Sequence, residues 1–257
     1  MKTNSAPKVA LVTGGSRGIG AAVCRQLGGA GYAVVVNYAQ DQEAANQVVQ
    51  AIKGHGGSAL AINADVADEA QVIAMFAQID AQFGRFDALV NNAGVVDVGA
   101  RVDEMSVTRL KRMFDTNIIG SFVCAREAVK RMSTKNSFGF NGLGGSIVNL
   151  SSAAARLGGS GQYVDYGASK GAIDTFTIGL AKEVAAEGIR VNAVRPGIIA
   201  TEIHASGGSP DRVAQMAPLV PMQRGGSADE VASAIVWLLS DAASYVTGAF
   251  IDVTGGR

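Results

Sequence analysis

Short runs of β-branched and apolar residues alternate with longer helical patterns along the chain, and this alternation limits the possible folds more than any other feature. The runs lie at 9–13, 33–37, 59–63, 88–92, 146–150, 190–194 and 249–253. The helical patterns lie near 18–29, 41–53, 68–83, 106–132, 164–187 and 228–240. Strands that are apolar throughout are typical of a parallel sheet covered by helices on both faces. We therefore predict an α/β fold with one doubly wound parallel sheet of about seven strands.

The chain has 257 residues, a length that suits one large domain, and no linker or internal repeat divides it. We predict a single domain over residues 1–257, with a flexible N-terminal tail at residues 1–7. Two segments interrupt the regular pattern: 133–145, which is polar and rich in glycine, and 202–226, which contains three prolines. Irregular segments as long as 202–226 are usually functional or disordered, so we expect a mobile substrate lid there.

Composition excludes several classes of partner. The 22 basic and 22 acidic side chains balance, so the whole molecule has no field that would attract nucleic acid or an anionic membrane. Cys24 and Cys124 lack metal-ligand spacing and are expected to be buried free thiols, and His55 and His204 have no acidic or cysteine partner at metal spacing. The N-terminal residues have no apolar signal-peptide core, and no apolar run reaches about eighteen residues. We expect a cytoplasmic protein without a metal site.

Tyr166 and Lys170, in the run YGASK, stand four residues apart in a helical pattern. Side chains at this spacing are neighbours on a helix. A nearby ammonium favours phenolate over phenol, so we expect the pKa of Tyr166 to lie below its reference value of about 10. Such a tyrosine would exchange a proton near neutral pH. Taken by itself, the pair is weak evidence, because most tyrosines at this spacing from a lysine are ordinary half-buried packing residues.

A glycine-rich turn, TGGSRGIG, follows the first predicted strand and leads into the first predicted helix. Gly14, Gly18 and Gly20 would allow close approach of the backbone to a pyrophosphate, and the N–H groups at the helix N-terminus would bind it. This arrangement predicts a dinucleotide-binding, Rossmann-type domain.

The end of the second strand suggests which dinucleotide binds. Sites that prefer NAD usually place a carboxylate there, whereas this chain has Asn37 and Tyr38, and no acid before Asp41. Arg17, inside the glycine loop, could meet a 2′-phosphate. We therefore expect NADP(H) rather than NAD(H), although Arg17 could be a solvated arginine and Asp41 could still reach the ribose if the turn is tight.

Several motifs occur together in one order: TGGSRGIG, NNAG at 91–94, Asn117, Ser152, YGASK and RPG at 195–197. Their order and distances resemble the short-chain dehydrogenase/reductase family, and the resemblance runs from about Lys8 to the C-terminus. These motifs are independent of one another, and all stand at the distances expected for the family, so together they are more specific than any one of them.

The resemblance implies a catalytic set. Tyr166 would move the proton, and Lys170 would bind the ribose hydroxyls and lower the tyrosine pKa. Ser152, fourteen residues before Tyr166, would polarise the substrate carbonyl, with Ser151 as a competing candidate and a capping serine as the alternative. The main chain of Asn117 would hold a water of the proton relay, unless this residue is only satisfied within helix packing.

The predicted cofactor contacts lie in the glycine loop, after the second, third and fourth strands, in the catalytic helix and after the sixth strand. They are Gly14, Ser16, Arg17, Gly18, Ile19, Gly20, Asn37, Tyr38, Asp65, Val66, Asn91, Ala93, Gly94, Tyr166, Lys170, Pro196, Gly197, Ile199 and Thr201. For Asp65 the alternative is a helix N-cap. Tyr163 has no basic residue four positions later, so we interpret it as a pocket-wall or interface aromatic; His204 could touch substrate.

The resulting prediction is an NADP(H)-dependent oxidoreductase acting on a small-molecule carbonyl or secondary alcohol. One alternative is a 3-oxoacyl-thioester reductase, whose carrier-protein partner would need basic residues near the cleft. Candidates for such residues are Arg101, Arg109, Lys111, Arg112, Lys130 and Arg131. A second alternative is a non-catalytic NADP(H)-sensing or scaffold protein, which would not need the proton donor.

Helices 106–132 and 164–187 carry more apolar residues than one sheet face can cover, so we expect a homo-oligomer, and the family resemblance implies a homotetramer.

Overall fold

The computed structural model describes residues 6–135, 139 and 142–257. Most of the predicted N-terminal tail, residues 1–5, therefore lies outside the described residues, as does part of the polar segment before the fifth strand. The described residues form a seven-stranded sheet with the order β3-β2-β1-β4-β5-β6-β7. Every neighbouring pair of strands is parallel. The strands are β1 Val9–Val12, β2 Ala33–Tyr38, β3 Ser58–Asn63, β4 Ala88–Asn91, β5 Gly145–Leu150, β6 Ile189–Pro196 and β7 Phe250–Val253.

The helices cover both faces of the sheet. They are α1 Gly18–Gly29, α2 Gln42–Gly54, α3 Glu69–Phe83, α4 Val107–Phe114, α5 Gly120–Met132, α6 Ala154–Leu157, α7 Val164–Val184, α8 Ile203–Ser206, α9 Arg212–Met216 and α10 Ala228–Leu239. A π-helical turn, Asp115–Ile119, joins α4 to α5, so the predicted helix over 106–132 is one rod with a widened turn in its middle.

Alternation along each strand divides the core into two clusters. In β1, Ala10 and Val12 pack with α1, α2 and α10, whereas Val9 and Leu11 face the cluster of α3, α5 and α7. Because successive side chains of a strand point to opposite faces, a strand covered on both sides must be apolar at every position. All four residues of β1 are at most 1% exposed. The predicted doubly wound fold is thereby confirmed.

The order of the strands fixes where a ligand can bind. The chain runs outward from β1 to β2 and β3, then returns to β4 on the other side of β1. In open α/β sheets the crevice at this reversal, outside the carboxyl ends of the strands, is the usual ligand site. The glycine loop leaves β1 at this edge, and the NNAG segment leaves β4 beside it.

Two observations concern regions that the sequence described only coarsely. Segment 202–226 is not a structureless loop, because it contains α8, α9 and a short 3₁₀ turn at Ala217–Leu219. Cys24 and Cys124 are free and buried, as predicted. Among the described residues, no helix combines the length and the apolar character that crossing a bilayer requires, and no cluster of three or more histidine, cysteine or acidic side chains could hold a metal ion.

Candidate active site

The glycine loop has the backbone that its sequence demands. Gly14 and Gly18 adopt φ of 60° and 52°, a left-handed conformation that favours glycine. Asn37 holds the start of the loop: its Oδ1 accepts from Gly14 N at 3.2 Å, and its carbonyl accepts from Gly15 N at 2.7 Å. The side chain of Asn37 is thus committed to the loop and is buried, so it does not reach toward a ribose.

Gly20 is required by close packing at the start of α1. A Cβ at this position would lie 2.3 Å from Gly14 O and 2.5 Å from Asn92 Nδ2, where no side chain fits. The first α-helical bond is Ala21 N to Arg17 O, so the N–H groups of Gly18, Ile19 and Gly20 precede the helical ladder. No acidic side chain stands in the first turn. The loop is therefore a cradle of N–H groups that fits an anionic pyrophosphate.

Two residues that anchor this cradle were missed by the sequence interpretation. Asn92 donates from Nδ2 to Thr13 O at 2.8 Å and Gly14 O at 2.9 Å, while the Thr13 hydroxyl accepts from Asn92 N and Ala93 N at 3.0 Å each. Asn91, named instead in the prediction, donates to Asn149 Oδ1 at 3.0 Å and so ties β4 to β5 inside the sheet. The motif NNAG was the available signal, but it does not distinguish its two asparagines.

The predicted catalytic side chains converge at the carboxyl edge of β5. Ser152, just beyond β5, lies close enough to Tyr166, in the first turn of α7, for its hydroxyl to favour a lower pKa of the Tyr166 phenol. Lys170 Nζ lies 5.6 Å from the centroid of the Tyr166 ring and donates to Leu150 O at 2.7 Å. Gly94 borders the same spot, since a Cβ there would lie 3.6 Å from Lys170 Nζ.

The structure also separates the two serine candidates. Ser151 is buried, and its hydroxyl donates to Asp174 Oδ1 at 2.6 Å, away from the cleft. Ser152 is partly exposed, and its hydroxyl accepts from Ala154 N at 3.1 Å, which leaves its proton for another acceptor. Ser152 is therefore the serine beside the tyrosine, and its hydroxyl also satisfies the backbone N–H of Ala154, the backbone-capping role that the sequence had suggested as an alternative.

Asn117 lies in the π-helical turn, with its side chain fully engaged. Its Oδ1 accepts from Val95 N at 2.8 Å, and its Nδ2 donates to Val95 O at 3.0 Å and Ser169 Oγ at 3.1 Å. Its carbonyl accepts from Ser121 Oγ at 3.1 Å. The side chain thus joins the loop after β4 to the catalytic helix, and the packing role that the sequence left as an alternative is present. The predicted role of its main chain toward a water remains a prediction.

Burial sets the protonation of the Tyr166 and Lys170 pair, and it corrects one expectation. Burial raises the pKa of the Tyr166 phenol above its ordinary value, with the Ser152 hydrogen bond acting in the opposite direction. Burial lowers the pKa of the Lys170 ammonium to about 8, with Asp174 acting in the opposite direction. The sequence predicted a lowered tyrosine pKa because it counted the neighbouring charge and not the loss of solvent, which is the larger effect here.

At the ribose end of the cleft, the end of β2 carries no available carboxylate. Tyr38 is buried in the core, whereas Ala39 and Gln40 are exposed at the mouth. Asp41 caps α2, with its Oδ1 accepting from Ala44 N at 2.9 Å. Arg17 is exposed and, among the described residues, makes no ion pair. An exposed guanidinium in the glycine loop, combined with no free carboxylate at the end of β2, is suited to a 2′-phosphate.

Asp65 and Val66 follow β3 at the carboxyl edge of the sheet. Asp65 is not the N-cap of α3, since Asp68 holds that position and accepts from Ala70 N and Gln71 N. The exposed Asp65 carboxylate instead accepts from Ala67 N at 3.0 Å. Val66 packs against Gly120, where a Cβ would lie 2.8 Å from Val66 Cγ2. Its side chain therefore belongs to the core.

The segment after β6 closes the cleft from the other side. A Cβ on Gly18 would lie 3.4 Å from Thr201 side-chain atoms and 3.6 Å from Glu202 Oε2, so both residues border the glycine loop. The Glu202 carboxylate would have to turn away from a bound pyrophosphate. Gly197 is required for another reason, because a Cβ there would lie 2.8 Å from Thr254 Cα. Pro196 and Ile199 are buried beside it.

Segment 202–226, the predicted lid, packs against Tyr163 and against the segment after β6. His204 Nε2 donates to Ile199 O at 2.9 Å, and burial lowers the pKa of this imidazole. The Tyr163 hydroxyl donates to Gly207 O at 3.4 Å, while Arg212 lies 5.1 Å over the Tyr163 ring. Tyr163 therefore contacts the predicted lid. Because its hydroxyl is used in that contact, Tyr163 does not compete with Tyr166 for the role of proton donor.

Comparisons with known proteins agree with this geometry. A family model described as enoyl-(acyl carrier protein) reductase matches residues 14–257. An uncharacterised oxidoreductase of Escherichia coli K12 is 57% identical over 97% of this chain and 99% of its own length. A glucose 1-dehydrogenase of Bacillus subtilis 168 is 38% identical, covering 97% and 94%. A 3-oxoacyl-[acyl-carrier-protein] reductase of Staphylococcus aureus Mu50 is 40% identical over 97% of each chain.

Solved structures resemble this chain over almost its full length. A short-chain dehydrogenase/reductase from Serratia marcescens BCRC 10948 superposes with a TM-score of 0.88 at 35% identity, covering 98% of each chain. A blue fluorescent protein from a metagenomic library, solved in complex with NADPH, superposes with a TM-score of 0.87 at 34% identity, covering 99% of each chain.

Proposed function

We propose that this chain, which belongs to the short-chain dehydrogenase/reductase family of oxidoreductases, catalyses reversible hydride transfer between NADP(H) and a carbonyl or secondary alcohol. The observation that carries the proposal is the convergence of the Ser152 and Tyr166 hydroxyls beside the buried ammonium of Lys170 and the glycine loop. A proton donor, a second hydrogen-bond donor and a cation thus meet at the edge of a dinucleotide crevice.

Ser152 and Tyr166 would act together on the substrate oxygen. A substrate carbonyl oxygen bound beside the two hydroxyls would accept a hydrogen bond from each of them. As negative charge develops on this oxygen, Ser152 stabilises it and Tyr166 delivers its proton. Loss of one such donor typically costs about 2.7–4 kcal/mol in the transition state, or about a hundredfold to a thousandfold in rate. In the reverse direction Tyr166 takes the proton.

Lys170 would hold the cofactor ribose. An ammonium has three donors, of which one is used by Leu150 O, so two remain for the ribose hydroxyls. Gly14, Gly18, Gly20 and Thr201 would surround the pyrophosphate. The bound nicotinamide supplies or accepts the hydride. Because the pKa of Lys170 is about 8, the ammonium remains the major form at neutral pH.

The experiment measures NADPH consumption with a panel of ketones, diketones and acyl thioesters. The Tyr166→Phe variant should lose at least a hundredfold in kcat while binding NADPH with unchanged affinity, measured by nucleotide fluorescence. Tyr32→Phe is the matched control, because the Tyr32 hydroxyl bonds to Leu239 O at 3.4 Å, far from the cleft. Parental turnover by Tyr166→Phe on a good substrate would remove the proposed role of this hydroxyl.

Preference for NADP(H) over NAD(H) is part of the proposal. It is supported by the exposed Arg17 in the glycine loop and by the use of Asp41 as a helix cap, which removes the nearest carboxylate from the ribose. A related structure whose title names a complex with NADPH adds to this support.

Reduction of a 3-oxoacyl thioester is the second candidate, and the name of the Staphylococcus aureus relative favours it. This candidate is weakened by the ion pairs of the basic residues that were expected to attract an acidic carrier protein. Five of the six are paired within the protein, namely Arg101, Arg109, Arg112, Lys130 and Arg131. A thioester could still react as a small molecule, so the panel includes one. The complete Ser152, Tyr166 and Lys170 set disfavours a non-catalytic sensor or scaffold.

A homotetramer is supported by two separate apolar surfaces. On the first, Phe122 of α5 stacks on Phe176 of α7 at 3.8 Å, with Ile119 and Ile178 exposed nearby. The second lies near the end of α10, where Trp237 is 42% exposed and Tyr245 is fully exposed. A tetramer with two-fold axes needs two distinct self-complementary interfaces, whereas a dimer needs one.

We also propose a cytoplasmic location, which the two free cysteines fit.

A further inference from the structure

The helix that carries Tyr166 and Lys170 presents a third polar residue at the same spacing, which the proposed chemistry does not use. Asp174 stands four residues after Lys170 and eight after Tyr166, so the three follow one face of α7. The Asp174 side chain is only 14% exposed. A carboxylate this well shielded, one helical turn behind a buried lysine, needs a physical reason.

Both carboxylate oxygens of Asp174 are fixed. Ser151 Oγ donates to Oδ1 at 2.6 Å, and Arg195, from β6, donates to Oδ2 from Nε at 3.0 Å and Nη2 at 2.9 Å. The Arg195 guanidinium is itself held 4.0 Å above the Phe250 ring, with Asp252 at 3.6 Å. Two guanidinium N–H groups on Oδ2 and a hydroxyl on Oδ1 together give the carboxylate one defined position.

Ser151 connects this carboxylate to the main chain of Lys170. The Ser151 hydroxyl lies 3.3 Å from the carbonyl of Lys170 as well as 2.6 Å from Asp174. Ser151 also precedes Ser152, so one short segment places both a hydroxyl for the substrate and a hydroxyl for Asp174. This second role explains why two serines stand together at the end of β5.

The surroundings of Lys170 give Asp174 its importance. Lys170 is 5% exposed, and its ammonium donates to a neutral carbonyl, Leu150 O. The charged or titratable groups around it and Asp174 are Tyr166 on the same helix and Arg195 on β6, with Asp252 of β7 beyond. Two other packed elements carry charges that are already paired: Arg156 of α6 pairs with Asp252, and Arg109 of α4 pairs with Asp165 of α7. The remaining neighbours are neutral, namely Ser151 and Ser152 after β5, Gly94 after β4 and Asn117 in the π-helical turn. Asp174 is the acidic side chain that stands one helical turn from Lys170 on this face of α7.

We propose that Asp174 is a positioning residue for the reaction: fixed by Ser151 and Arg195, its carboxylate serves as the counter-charge for the Lys170 ammonium. The inference rests on the proposed function, because Lys170 affects turnover only if it holds the cofactor beside Tyr166. Burial alone disfavours a lysine cation, and an opposite charge one turn away offsets part of that penalty. Without Asp174, Lys170 would become neutral at a lower pH.

The first measurement needs neither cofactor nor substrate. Protein labelled with ¹³C at lysine Cε is titrated by NMR, and the Lys170 signal is assigned with Lys170→Arg. We expect a parent midpoint near pH 8 and a midpoint lower by about one pH unit in Asp174→Asn, the lower end of what an opposite charge contributes. Asp174→Glu, which keeps the charge, should restore most of the difference. An unchanged midpoint in Asp174→Asn overturns the proposal.

Asp252→Asn is the matched control, since it makes the same chemical change at the other acid near Arg195 without touching Ser151. We expect its Lys170 midpoint to equal that of the parent, and an equal fall in both variants would also overturn the proposal. If circular dichroism shows that Asp174→Asn is not folded, the smaller Asp174→Ser takes its place, because its hydroxyl can still bond to Ser151.

The second measurement is the pH profile of kcat, which separates this inference from the proposed function. From the expected midpoints, kcat of Asp174→Asn should fall about fivefold at pH 8 and less than about twofold at pH 6 relative to the parent. An equal loss at every pH would indicate a merely structural role and overturn the proposal. Failure of the parent on every substrate would defeat the proposed function, while the lysine titration would still decide whether Asp174 is the counter-charge.

Discussion

Arg109 and Asp165 form an ion pair whose removal gives a quantitative test of how the catalytic helix is held. Arg109, on α4, donates from Nε to Asp165 Oδ2 at 2.7 Å and from Nη1 to Val98 O at 2.6 Å. Asp165 Oδ1 also accepts from Tyr166 N at 2.9 Å. The pair therefore joins α4, the loop after β4 and the residue next to the catalytic tyrosine.

The magnitude follows from burial. The side chains of Arg109 and Asp165 are 11% and 0% exposed, and removal of one partner from a buried pair costs about 3–5 kcal/mol because the other charge stays buried. Since Arg109 retains some solvent contact, we expect Arg109→Met to lower the free energy of unfolding by about 3 kcal/mol. For a chain of this size that corresponds to a fall in Tm of about 6–12 °C.

Arg101→Met is the matched control. Arg101 pairs with Asp103, but these side chains are 71% and 65% exposed, and exposed pairs contribute less than about 1 kcal/mol. Urea denaturation and thermal unfolding, both at one fixed protein concentration, measure the two variants. The double variant Arg109→Met/Asp165→Asn should recover most of the loss, because no uncompensated charge remains. Equal small losses in Arg109→Met and Arg101→Met would refute the reasoning from burial.

Two further predictions concern the cofactor and the assembly. Arg17→Ala should raise the KM for NADPH about tenfold to a hundredfold, the value of a hydrogen bond to a charged group, and leave the KM for NADH within about twofold; equal effects on both would exclude a contact with the 2′-phosphate. Phe122→Asp should reduce the proposed tetramer to smaller species in native mass spectrometry, because it places a charge in the apolar surface on α5 and α7. Ile73→Asp, at a 45% exposed position on α3, should leave the assembly intact, and a tetramer that survives Phe122→Asp would exclude that surface as an interface.

The fold could be predicted because its signals are local and redundant. Strands buried on both faces must be apolar throughout, and the runs in the sequence mark β1 to β7 to within about two residues. Helix α1 begins and ends where predicted, since the glycine loop fixes its start. The convergence of Ser152, Tyr166 and Lys170 could be predicted for a similar reason, because their spacing resembles a known family and α7 fixes the geometry of the last two.

Other features depend on contacts that spacing does not encode. NNAG contains two asparagines, and only the packing shows that Asn92 anchors the glycine loop while Asn91 faces into the sheet. The partner of Ser151 lies twenty-three residues later, on another element. Asp174 had a signal in its spacing from Lys170, but its significance required Arg195 to be brought from β6. The short helices α8 and α9 have few residues and weak periodicity, so their segment appeared irregular.

The order in which Tyr166 and Lys170 titrate follows from burial rather than from their spacing. Burial raises the pKa of Tyr166 and lowers the pKa of Lys170 to about 8, so the cofactor-free protein loses the lysine charge before it loses the tyrosine proton. At neutral pH the resident pair is therefore phenol and ammonium, the form that can donate a proton to a developing alkoxide. As pH rises, the first loss is that of the cation that would hold the ribose, while the proton donor is still present. The alkaline limit of reduction should accordingly be set by Lys170, which makes the charge placed behind it at Asp174 a determinant of the working pH range.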